Sequence, residues 1–147
     1  MVSAADFVWS VKAYQATFFL TNVIAQEQSV NAGRWRSLEL AVRRIAASAD
    51  SVLVFSGPLF ESGTMEFLSP GGVAVPTHTY KVLLAVHAGR RTMFAAIIPN
   101  SRNPPQPLNF FAVSVDEVEL RTGFDFFGFL EDAEEAALES RLEWFPR

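Results

Sequence analysis

The chain of 147 residues sets 12 Lys and Arg against 16 Asp and Glu, for a formal charge of −4, and half of its residues are hydrophobic. That is one domain, long enough to bury a substantial core. With no cysteine it can hold no disulfide framework and no Cys-ligated zinc, and it can perform no thiol catalysis. Its longest apolar runs fall short of the ~18–20 residues that cross a bilayer, so no membrane span is expected, and its acidic balance argues against a generic, basic nucleic-acid-binding surface.

Residues 1–16 read as a loop with a short turn of helix, an N-terminal arm packed by Phe7 and Trp9. The opening MVSAADF lacks the basic-then-apolar pattern of a signal peptide and the Arg-rich character of a transit peptide. Residues 17–22, with Phe18, Phe19 and Leu20 apolar on both faces, read as a buried strand that ends in Asn22. A short polar loop, Gln26 to Ser29, follows. Residues 31–48 read as a helix, because Trp35, Leu38, Val42 and Ile45 recur at three- and four-residue steps. Asn31 is its expected N-cap, and Arg34, Arg36, Arg43 and Arg44 fall largely off the apolar stripe.

Residues 51–57 form a short buried strand stopped by Gly57-Pro58, and residues 57–72 a turn-rich excursion with two glycine-bearing breaks. A strand from about Thr79 to Val86, with Pro76 at its start, is joined through Gly89-Arg90 to a strand over 91–100, which makes an antiparallel hairpin. Residues 101–108 are a Pro-rich surface loop, and the segment from Asn109 begins extended. Ser114 with Glu117 three residues on suits a capping box that opens a short helix ended by Gly123. An acidic helix over 131–142 and a tail, Trp144-Phe145-Pro146, that packs back complete the chain. The pattern is that of a single α+β domain over residues 1–147 with a largely antiparallel sheet.

Certain segments occur in a telling order. Ala4-Ala5, Trp9-Ser10, Lys12-Ala13, then Thr17, Phe18, Leu20, Thr21 and Asn22, then Gln26, Asn31, Gly33, Trp35, Leu38 and Glu39 follow one another without a gap. Downstream come Gly57-Pro58-Leu59, Val75-Pro76-Thr77-His78, Tyr80-Lys81, Ile98-Pro99-Asn100, Ser114 to Glu117, Thr122-Gly123 and Asp125-Phe126-Phe127. This ordered set, over roughly residues 1–130, resembles the DNA/RNA non-specific endonucleases of the ββα-metal (His-Me finger), endonuclease G-like type. The resemblance departs at Ala25, where that family usually has Pro, and at Ala32, where it usually has a polar residue. It also places the family's Asp-Arg-Gly-His segment immediately before Met1, so the expected fold is a ββα-metal nuclease domain lacking its N-terminal portion.

What the resemblance implies is phosphodiester hydrolysis in DNA and RNA with a single magnesium (or manganese) ion. By carry-over, Asn31 is the metal ligand, its amide oxygen a hard neutral donor suited to a magnesium ion that keeps most of its waters. Glu39 would hold a metal-bound water, and Asn22 would orient the site. On a regular helix Asn31 and Glu39 stand about 80° apart and ~12 Å along the axis, which agrees with one direct and one water-mediated role. Arg34 and Arg36 are the candidate nucleic-acid contacts.

Taken without the resemblance, Asn31 is a helix cap, Glu39 a solvated position paired with Arg36 or Arg43, and Asn22 a strand-end turn residue. His78 reads as structural and His87 as exposed at a strand end. The missing general base divides the functional expectation. One reading is a magnesium-dependent nuclease, inactive as this chain alone unless an upstream extension or a partner chain supplies the Asp-Arg-Gly-His half. The other is a catalytically dead, nuclease-like subunit of a larger assembly. The resemblance also implies a homodimer, and a mitochondrial, secreted or periplasmic location.

Overall fold

The computed structural model describes residues 1–61, 63, 65–69, 72–102 and 106–146. At its centre is a four-stranded antiparallel sheet of order β1-β4-β5-β6, built from β1 (Ser51–Leu59), β4 (His78–His87), β5 (Arg90–Pro99) and β6 (Ala112–Val113). A two-stranded ribbon, β2 (Glu66–Phe67) with β3 (Ala74–Val75), lies in the excursion between β1 and β4. The glycine-bearing breaks expected there, and Pro104-Pro105 of the expected Pro-rich loop, fall partly or wholly outside the described residues.

Side chains alternate across a sheet, and here both faces are covered. Tyr80, Val82 and Leu84 of β4, with Met93, Ala95 and Ile97 of β5, face α4 (Val115–Thr122) and α5 (Asp132–Glu139) through Val118, Phe126, Phe127 and Leu138. Leu83 and Ala85, with Ala96 and Ile98, face α3 (Arg36–Ser48) through Trp35, Leu38, Ala41 and Ile45. That two-sided burial explains why β4 is a near-continuous apolar run. One charged residue breaks the run on the α3 side: Lys81, only 5 % exposed.

The hairpin turns at Ala88-Gly89, one residue earlier than the sequence suggests, with φ of 49° and 78°. A two-residue turn with both φ positive matches the twist of its strands. β1 does not stop at Gly57-Pro58 but runs on to Leu59. It is an edge strand, where proline's missing N–H costs no ladder bond. It is also only partly buried, against the expectation of a buried strand. Gly57 is required by its neighbour: a Cβ there would stand 2.7 Å from the Tyr80 hydroxyl oxygen.

The segment from Asn109 does not begin extended. A 3-10 turn (Leu108–Phe111) precedes β6. Ser114 caps α4 by accepting the Glu117 N–H, and Gly123 ends it at φ 71°. Phe145 of the tail is buried against Phe94, with rings 5.6 Å apart, while Trp144 stays exposed.

The largest difference from expectation is at residues 17–22. No strand forms. α1 (Val11–Ala16) runs into turns in which Thr17, Phe18 and Phe19 N–H groups bond to Tyr14, Gln15 and Ala16 carbonyls, and Leu20–Asn22 is a 3-10 turn. Phe18, Phe19 and Leu20 are exposed, as is Trp9 of the arm. Among the described residues no strand lies alongside to take this segment's backbone groups, so local turns satisfy them instead.

A candidate active-site cleft

The helical stretch carrying Asn31 begins earlier than the sequence suggests. α2 (Gln28–Val30) runs into a π turn (Asn31–Trp35) and then into α3 without a break. Asn31 is therefore not an N-cap. It has helical φ and ψ of −58° and −51°, and the capping position falls at Glu27. The π turn alters where side chains point, because i→i+5 bonding holds more residues per turn and so rotates each by less than the ~100° of an α-helix. The offset expected between Asn31 and Glu39 on a regular helix shrinks accordingly.

Both residues line one cleft of about 340 Å³, together with Met1, Asn22, Gln26 and Trp35. The structure thus brings together the three residues Asn22, Asn31 and Glu39 from two separate segments. Arg34 and Arg36 lie outside its lining. Arg34 donates to the Ser101 carbonyl at 3.4 Å and stacks 5.4 Å from the centre of the Phe111 ring, whereas Arg36 is exposed.

Each cleft residue has a distinct engagement. Asn31 is exposed, and its side chain hydrogen-bonds to no other described residue. The Asn22 amide is fully committed: it accepts the Val2 N–H at 2.7 Å and donates to the Val2 carbonyl at 3.0 Å and the Thr17 carbonyl at 2.8 Å. Glu39 is half-buried, 3.8 Å from Arg43. Arg43 also donates to Ser3 Oγ at 2.9 Å and pairs with Asp6, so it clamps the N-terminal arm onto α3. Of the two partners expected for Glu39, it is Arg43 that pairs.

Two further residues belong to this neighbourhood. Gln26 Nε2 is a buried donor with no acceptor among the described residues, on a side chain that lines the cleft. Lys81 sits with its ammonium 4.6 Å from the centre of the Trp35 ring, a cation–π contact. Burial pulls its pKa below the ordinary lysine value, Glu39 and Asp6 pull it back up, and Arg43 lowers it. In the sequence Lys81 is only a lysine in an otherwise largely apolar strand. Its proximity to Glu39 arises because odd-numbered β4 positions face α3. Neither histidine lines the cleft. His78 lies by Glu61 and Thr77, and His87 against the Ser48 carbonyl. No helix among the described residues is long and apolar enough to cross a membrane.

The donors in the cleft suited to a metal are hard, a neutral amide oxygen and a carboxylate, with no thiolate and no imidazole among the lining residues. Such donors suit a small, strongly hydrated divalent ion.

The family model for DNA/RNA non-specific endonucleases matches residues 1–133. Human mitochondrial nuclease EXOG is 32% identical over 145 residues, covering 89% of this chain and 39% of its own length. Human mitochondrial endonuclease G is 33% identical over 137 residues, covering 86% and 46%. Nuclease C1 of Cunninghamella echinulata var. echinulata is 34% identical over 143 residues, covering 89% and 56%. A chain in a crystal structure of an EndoG/EndoGI complex superposes with a TM-score of 0.81 at 31% identity, over 89% of this chain and 58% of that one. The chain therefore spans between two fifths and just over half the length of these curated relatives. With a helix-flanked antiparallel sheet, a match over most of its length and relatives above 30% identity, the chain belongs to the DNA/RNA non-specific endonuclease family.

Proposed function

We propose that these 147 residues form the metal-holding part of a non-specific nuclease that hydrolyses phosphodiester bonds in DNA and RNA with one magnesium (or manganese) ion. The observation that carries this reading is the Asn31 amide. It is exposed, unengaged by any other described residue, and in one cleft with Glu39. Asn31 would offer its carbonyl oxygen to the ion, which when bound supplies positive charge to the phosphate as it becomes pentavalent. Glu39, held by Arg43, accepts hydrogen bonds from water at the same wall of the cleft. Gln26 Nε2 is a donor in want of an acceptor, suited to a phosphate oxygen. Asn22 acts as a positioning residue, because its amide fixes the Val2 backbone and with it the Met1 side of the cleft. Arg34 and Arg36 would meet the nucleic acid outside the cleft.

The chain alone should be nearly inert. With both histidines away from the cleft, no described residue is placed as the general base, whose loss typically costs ~10²–10⁴ in rate. The alternative, a scaffold that no longer cuts inside a larger assembly, shares this inertness. The test is degradation of plasmid and RNA with magnesium and with a chelator. It compares the 147-residue chain with the same chain carrying an Asp-Arg-Gly-His segment ahead of Met1. Cleavage by the extended chain, lost with chelator and with Asn31→Ala, supports the nuclease. No cleavage by either supports the scaffold. Cleavage by the short chain that survives Asn31→Ala overturns the metal assignment.

A further inference from the structure

On the face of the sheet opposite the cleft, α4 and α5 bring acidic side chains together. Asp116 and Glu119 of α4 and Glu139 of α5 each place a carboxylate oxygen within 4.8 Å of the others. Nearby cations are engaged elsewhere: Arg121 pairs with Glu61 and Glu117, and Arg91 with Glu134. No ion pair among the described residues involves the three carboxylates. Glu119 Oε1 accepts the Phe126 N–H at 2.9 Å.

Glu139 is different in kind. It is 6 % exposed, and its Oε1 is buried with no hydrogen-bond partner among the described residues. One turn earlier, Glu135 also has a buried, partnerless carboxylate oxygen. A buried carboxylate is ordinarily paired or coordinates a metal. We propose that Asp116, Glu119 and Glu139 form a calcium-class divalent cation site that joins α4 to α5.

The donors select the ion. Calcium takes ~6–8 oxygen ligands in flexible geometry, whereas magnesium demands a near-ideal octahedron. Three carboxylate oxygens within 4.8 Å of one another, offered by two separate helices, fit the more permissive ion. Asp116 is exposed, so water completes the coordination on that side. The site is independent of the nuclease reading. It lies across the sheet from Asn31, and Glu139 falls beyond the residues that the family model matches. Burial, the charges of Glu119, Glu135 and Asp116, and a hydrogen bond shared with the Glu119 carboxyl push the Glu139 carboxyl up to about 8. A shared proton is thus the competing way to relieve the same repulsion, and the experiment must separate the two.

The experiment is calcium titration calorimetry with thermal unfolding on chelator-stripped 147-residue protein at a pH above 8, in an Asn31→Ala background that removes the cleft from consideration. The expected result is one bound calcium with a dissociation constant of ~10⁻⁴–10⁻³ M and a Tm rise of roughly 3–6 °C at about 10 mM calcium. Magnesium should give a smaller rise. Glu139→Gln should abolish the rise. Asp116→Asn, at an exposed position, should weaken binding about tenfold with the fold intact, and it decides the matter if the Glu139 variant does not fold. No heat and no Tm shift overturn the site, as does a shift that survives both substitutions. A Glu139→Gln protein stabilised over a parent that ignores calcium means that the carboxyls share a proton instead.

Discussion

Asn100, just past the end of β5, accepts the backbone N–H of Glu27 at 2.7 Å, across 73 residues of chain. The same side chain donates to the Ala25 carbonyl at 3.0 Å and the Pro76 carbonyl at 2.9 Å. One amide thus ties the sheet to the start of the helix that carries Asn31. Asn100→Ala should cost about 2–3 kcal/mol, since three hydrogen bonds of ~1 kcal/mol each are removed from partly buried partners. Chemical denaturation measures this directly. A loss below ~1 kcal/mol would show that water replaces the amide.

Asn22 engages both backbone groups of Val2. Asn22→Ala should therefore loosen the arm more than it destabilises the protein, with a cost of about 1–2 kcal/mol. Hydrogen exchange of the Val2 amide should accelerate sharply. Asn22→Asp keeps the acceptor and loses the donor, so it should keep Val2 protected better than Ala does. Equal exchange in the two variants would mean that the Val2 N–H bond does not matter.

Lys81 is a buried charged group, with its ammonium over Trp35 and its pKa lowered by burial. Lys81→Met, of similar length, removes the desolvation cost and should hold or raise the Tm. If the extended chain cuts, the substitution should lower its cleavage rate tenfold or more, because Glu39 then keeps Arg43 as a neighbouring cation but loses the buried ammonium on the sheet side. A variant that is less stable and equally active would reverse that assignment.

Ala88 has a φ of 49°, unusual for a residue with a Cβ. Asn tolerates this conformation better, and Asn-Gly is favoured in such turns. Ala88→Asn should stabilise the protein by about 0.5–1 kcal/mol, read as a rise in the midpoint of urea unfolding with an unchanged slope.

His78 supplies a pH dependence. Burial holds its pKa below the ordinary histidine value, so the folded chain resists a proton that the unfolded chain takes up near ~6.5. Its contribution to stability is complete above that pH and is lost as pH falls through it toward the lower folded value. In His78→Gln this acid-side loss should be reduced as the pH falls below about 6.5. If Glu61, 3.4 Å away, instead captures a protonated His78, the variant will lose more stability than the parent on acidification.

Much of this domain is written locally. The hairpin, the Ser114 capping box, the Gly123 stop and the apolar stripe of α3 are decided by residues within a few positions of one another, through φ preference, capping and periodicity. The candidate residues Asn22, Asn31 and Glu39 are legible as an ordered set with fixed spacing. What tertiary structure decided is everything that depends on a neighbour. Residues 17–22 have the composition of a strand, yet a strand needs another alongside, and without one the backbone closes turns. Asn31 has the composition of a cap, yet the helix extends back to Gln28, and a π turn carries the side chain toward Glu39's cleft. Gln26, Lys81, Asn100 and Asp116 stand in the ordered segments with no role legible from them, and Glu119 and Glu139 lie outside those segments. Their roles follow from which face of the sheet each one occupies and from what the other segments bring against it.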